Sequence, residues 1–227
     1  MLVRLTAAAA LFALAFTGTA FAAPVKTLTL GTGATQLYTQ SDEGALLAGI
    51  QIFVRAGLDH ESARENGLAA LAAETILGTK VGGIALSDAV AAHGGAIVYS
   101  VGPQYVRYYL EAPPASMGSL AVLVAKALAA PDTSVAALAV ARANLNAKIA
   151  EDESNPVSAG LEMLRQSYYD GGAGLPTFGT TATLQTLAGA DVRAFIAAHY
   201  RRGNVIASAV GNVSPSVMTA VQTIATA

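Results

Sequence analysis

One stretch of this chain tolerates only one environment. Glu65–Leu77 is rich in alanine and leucine, is preceded by acidic residues, ends at Gly78 and carries Glu74 as its one charge beyond the first residue. Strong helix formers between an acidic approach and a glycine stop predict a helix. Apolar on nearly every side, that helix is stable only when buried. The remaining chain has to wrap it.

The flanking patterns supply the layers. Lys26–Leu30 and Gln36–Gln40 alternate as short strands about the Gly31–Gly33 turn, and Leu47–Arg55 is a longer run rich in β-formers. Ser87 stands where a short helix closing at Gly94-Gly95 would have its N-cap. Ala96–Val101 and Tyr105–Glu111 predict a hairpin across Gly102-Pro103. Helices are predicted over Ser116–Ala129, Ser134–Ile149 and Pro156–Tyr169, then a glycine-rich surface loop over Asp170–Gly179. A helix over Asp191–Tyr200 and a strand over Asn204–Val210 follow, and Ser214-Pro215 opens a last helix. Strands at both ends of a helical middle imply an α+β domain: a single antiparallel-rich sheet with helices packed on one face.

The first residues predict export. Arg4, the apolar run Leu5–Phe16 and the cleavage signal Ala20-Phe21-Ala22 form a signal peptide over residues 1–22. The run is shorter than the roughly 20 residues that span a bilayer, so a periplasmic or extracellular location is expected. Hydrophobic residues make up 53% of the chain and charged residues 12%, a balance that favours a packed core over disorder. A formal charge of −2 leaves no basic footprint for nucleic acid. With no cysteine, disulfides, thiol catalysis and thiolate metal sites are excluded.

Residues 67–79 read Gly-Leu-Ala-Ala-Leu-Ala-Ala-Glu-Thr-Ile-Leu-Gly-Thr, after Gly57 and Glu61 and before Gly94-Gly95. Further on stand Arg142, Pro156, Pro176, Gly179, the run 186–192, Tyr200, Asn204 and the run 210–213. In order and spacing these positions resemble the N-terminal-type domain of the insulinase and mitochondrial processing peptidase family, peptidase M16, over nearly all of the chain after residue 22. The resemblance implies an M16/LuxS-like metalloenzyme fold and, in active relatives, a zinc ion held by a helix that reads H-x-x-E-H. Such a helix sets two imidazoles one turn apart, with a glutamate placed to take a proton from metal-bound water.

The matching positions here are Ala70, Ala73 and Glu74; a register one residue earlier offers Ala69, Ala72 and Ala73. The third ligand, a glutamate in active relatives, falls at Lys148, whose ammonium has no lone pair to give. Glu151 and Glu153 read as the solvated end of a helix. His60, His93 and His199 lie too far apart in sequence to make a local metal-binding pair. No catalytic residue, metal ligand or cofactor is therefore assigned. Glu74 and Lys148 carry opposite charges on two helices that the resemblance brings together, and an ion pair is expected in place of zinc. The alternative has both side chains reaching into water.

Active relatives hold peptide as an added strand beside an Asn-Ala pair, matched here by Tyr99 and Ser100, in a segment that Gly102 and Pro103 interrupt. Tyr105, Tyr108 and Tyr109 read as strand packing. The family implies two such domains in each half of a clamshell that closes on peptide, one half often lacking the zinc motif. The expected role is a non-catalytic, exported domain that partners a homologous M16 domain or a catalytic M16 subunit. Residues 23–213 would form the domain and 214–227 the start of a following helix, the chain being cut before a second homologous domain. Two further readings stay open: a zinc metalloendopeptidase with ligands supplied from elsewhere, and an exported binding or structural domain without a peptidase partner. Neither nucleic acid nor a membrane span after signal cleavage is expected.

Overall fold

The computed structural model describes residues 24–30 and 35–226, so the predicted signal peptide and the Gly31–Gly33 turn lie outside it. The chain begins with β1 (Lys26–Leu30), β2 (Thr35–Ser41) and β3 (Ala48–Val54). Next come α1 (Leu68–Gly78), a small hairpin of β4 (Lys80–Val81) and β5 (Ile84–Ala85), and α2 (Leu86–Ala92). β6 (Ala96–Val101) and β7 (Val106–Ala112) lead to α3 (Pro114–Ala129), α4 (Val135–Ser154), α5 (Pro156–Tyr168) and α6 (Thr181–Thr186). The chain then runs through α7 (Gly189–His199), β8 (Val205–Gly211) and α8 (Pro215–Thr226).

Six strands form one sheet in the order β1-β2-β8-β3-β7-β6, antiparallel except where β8 lies parallel to β2. Residues paired across a sheet share a face. The row Leu37, Ala207, Ile52, Tyr108 and Tyr99 therefore points one way, and its first four members are buried. Along β3, β7 and β8 the even or odd set that shares this face is buried, while its alternates stay largely more exposed. The helices cover the buried face, as the expected α+β layering requires.

α1 lies deepest: every residue from Leu68 to Ile76 is buried. It packs against α4 on one side and reaches β6 and β7 on the other. Residues 65–67, predicted as helical, instead form the turn into it, and Gly67 takes a φ of 95° that favours glycine. α2 starts at Leu86 rather than at a Ser87 cap, because Ala85 closes the β4–β5 hairpin and the Leu86 N–H donates to the Thr79 carbonyl. α4 extends five residues beyond the predicted Ile149, and α6 arises within a segment with no predicted element. α8 turns Val217, Val221 and Ile224 into the core against α3, so that core continues past Val213.

Candidate functional site

The site is assembled from three elements. Glu61 fixes the start of α1: its carboxylate, 8% exposed, accepts from the Gly67 N–H at 3.0 Å, the Ala69 N–H at 2.6 Å and the Asn66 amide at 3.0 Å. An anion on the unpaired N–H groups of a helix start satisfies those donors and opposes the helix dipole. Burial nevertheless raises the Glu61 pKa above its ordinary value, against the lowering effect of those hydrogen bonds. Asn66 also donates to the Pro176 carbonyl at 2.9 Å, tying the loop after α5 to the same point.

Further along α1, Glu74 faces α4. Lys148 Nζ lies 2.7 Å from Glu74 Oε2, and Asn144 Nδ2, one turn earlier on α4, donates to Glu74 Oε1 at 2.8 Å. Lys148 also donates to the Tyr99 hydroxyl at 3.0 Å, with its ammonium 4.3 Å from the ring centre. Tyr99 sits here because β6 is the sheet's edge and its register with Tyr108 turns it beneath α1 and α4. Burial, reinforced by the Glu74 carboxylate, holds its phenol protonated far above the usual range. Tyr108 and Tyr200 join hydroxyls at 2.8 Å behind it, both phenols raised chiefly by burial.

The expected ion pair is thus present, and Glu74 rather than Ala73 is the residue of α1 that meets Lys148. Ala70 and Ala73 are wholly buried. Glu151 and Glu153 are exposed on α4. Sequence reasoning did not single out Asn144, although its i, i+4 spacing from Lys148 places both on one helical face. A groove of about 690 Å³ opens beside the pair, between α4 and the edge strand β6, with Val98, Tyr99 and Val140 on its walls. β6 is unbroken to Val101; Gly102 and Pro103 fall in the connection to β7, where their carbonyls accept from Leu58 and Asp59.

Two of the three histidines do meet. His60 and His199 pack edge to face at 4.7 Å, with Phe195 4.6 Å from His199. Burial, then His60 and Arg201, lowers the His199 pKa and favours neutral imidazole. Among the described residues no three His, Cys, Asp or Glu side chains come together as a metal site.

This arrangement of strands and helices recurs in solved structures. An inactive peptidase M16 domain from Pseudomonas fluorescens superposes with a TM-score of 0.75 at 17% identity, covering 89% of this chain and 50% of that one. A putative M16-like peptidase from Alicyclobacillus acidocaldarius gives 0.75 at 12% identity over 88% of this chain and 49% of the other. The chain has an M16 peptidase-like fold. Pitrilysin also matches, with a TM-score of 0.72 at 18% identity over 90% of this chain and 24% of its own. The chain thus spans about half the length of the first two proteins and about a quarter of pitrilysin. No protein-family model matches the sequence, and no curated protein matches it significantly.

The residues that the sequence resemblance matches to the M16 zinc ligands do not suit a zinc ion. Two alanine methyls have no lone pair, an ammonium repels a cation, and both Glu74 oxygens already accept hydrogen bonds. The site as built is a neutral polar clamp joining α1, α4 and β6.

Proposed function

We propose that this chain is a non-catalytic M16-type domain, exported, that serves as a partner or scaffold half of a peptide-processing assembly. The observation that carries this reading is the Lys148 ammonium bonded to Glu74 across the two ligand positions. A catalytic zinc needs three protein ligands and an open position for water; this site offers one carboxylate that is already paired. The Pseudomonas fluorescens protein of the same fold bears the description inactive, which accords with such a role.

The test is metal analysis and peptide hydrolysis on the purified chain without residues 1–22, with co-purification beside an H-x-x-E-H relative from the same source. The expected result is no stoichiometric zinc, no cleavage of unstructured peptides, and a complex with the relative. One-to-one zinc with chelator-sensitive cleavage would overturn the reading. The groove along the free edge of β6 favours a second reading, an exported domain that binds extended peptide without a peptidase partner. Peptide binding by the isolated chain, with no complex formed, would select it.

A further inference from the structure

A second cavity, of about 400 Å³, shares no lining residue with the groove beside the ion pair. It opens where two helix pairs part: α7 packs against α1 and α8 against α3, and the floor between them is one end of the sheet. There Val54, the last residue of β3, pairs with Val205, the first of β8, and Ile52 is next on the same face. These three are only 1, 7 and 2% exposed, yet no side chain fills the space above them. Ala129 of α3 and Ala197 of α7, both exposed, stand at the sides, where larger residues would close it. The polar side chains of the lining are Tyr200, Arg193 and Arg201. Tyr200 spends its hydroxyl on Tyr108 at 2.8 Å. Arg193 Nη1 donates to the Thr133 hydroxyl at 2.8 Å, which fixes the side chain and leaves its other N–H groups to give. Both arginines are exposed, and the salt bridges among the described residues, Glu74–Lys148 and Glu162–Arg165, use neither. No carboxylate is among the residues that line the cavity.

We infer that this cavity binds a small amphipathic carboxylate: one short acyl chain on the valine and isoleucine floor, with its head group on the arginines. An apolar pocket with a few placed polar groups is the usual form of a small-molecule site, and such sites run from about 300 to 1,000 Å³. At the low end of that range the space suits a single chain of about ten carbons and excludes the paired chains of a membrane lipid. Water there has few hydrogen-bond partners, so an apolar chain displaces it at a gain. A guanidinium grips a carboxylate through two parallel N–H groups, and an arginine already held by Thr133 loses little freedom in doing so. Two unpaired positive charges repel an amphiphile with an amine head. The inference rests on this cavity alone and is independent of the role proposed for the ion-pair site.

Calorimetric titration of decanoate into the chain without residues 1–22 is expected to show saturable one-to-one binding. Decanol, which keeps the chain and lacks the charge, is expected to bind at least about ten-fold more weakly. Arg193→Gln with Arg201→Gln is expected to weaken decanoate at least about ten-fold while leaving decanol binding unchanged. The thermal melt of that variant is expected to match wild type, because both side chains are exposed. Ala197→Phe, which blocks the mouth from an exposed helical position, is expected to abolish binding of both compounds. Absence of saturable decanoate binding overturns the inference. So does binding indifferent to Ala197→Phe, equal affinity for decanol and decanoate, or a peptide with a free C-terminal leucine that occupies the cavity more tightly than decanoate.

Discussion

Glu74 is buried to 10% side-chain exposure while its partner Lys148 keeps 38%, and this asymmetry sets the value of their bond. Fully exposed pairs contribute about 0.2–1 kcal/mol, whereas breaking a buried one costs about 3–5 kcal/mol. Lys148→Ala strands the buried carboxylate with only Asn144 and is expected to cost about 1–3 kcal/mol. Glu74→Ala leaves the ammonium free to reach water and is expected to cost less. A double-mutant cycle by denaturant unfolding is expected to give a favourable coupling of about 1–2 kcal/mol, and strict additivity would contradict it. The two charges are legible in the sequence because the resemblance to M16 domains sets them on two helices expected to meet. The contact of Tyr99 with Lys148 and the part played by Asn144 are not: one is delivered by strand register, the other by a helix–helix contact 70 residues away in sequence.

α1 is an element held at its first turn, and Glu61 is the residue that holds it. Because its folded pKa is raised above the ordinary 4.5, the native state binds the proton more tightly than the unfolded chain. Its contribution is therefore full below pH about 4.5 and is lost as pH rises through the raised value. Glu61→Gln cannot titrate, so the stability of wild type relative to the variant is expected to fall across that window and stay level above it. Thermal melts of both proteins from acid to neutral pH measure the difference; a constant offset would contradict it. Helices with clear periodicity and caps are readable from sequence, α5 and α7 among them. α6 is not, being six residues capped by Thr180 and Thr183 within a polar run. Propensity also sets the start of α1 too early, since it sees good helix formers, whereas Glu61 requires Asn66 and Gly67 in a turn. Gly57 has a similar cause: a Cβ there would lie 2.3 Å from the Gly102 carbonyl oxygen, so the two loops meet only through glycine.

At the scale of the whole molecule, the layer arrangement follows from the order of strand and helix patterns, but the strand order does not. A sequence shows which segments are strands, not that β8 inserts between β2 and β3. That insertion makes the first half of the sheet depend on the last strand. β1–β2 on one side and β3–β7–β6 on the other share no direct ladder among the described residues; β8 joins them. A chain ended at Gly203 is expected to lack protease-resistant structure, and a resistant fragment of native circular dichroism would contradict this. Pairing between Gln36 and Ile206 closes a loop that contains every element between β2 and β8, an entropy cost met before any reward. Nascent chain leaving the ribosome therefore cannot complete its sheet until β8 has emerged, and its first two strands wait unpaired on that side for as long as that takes.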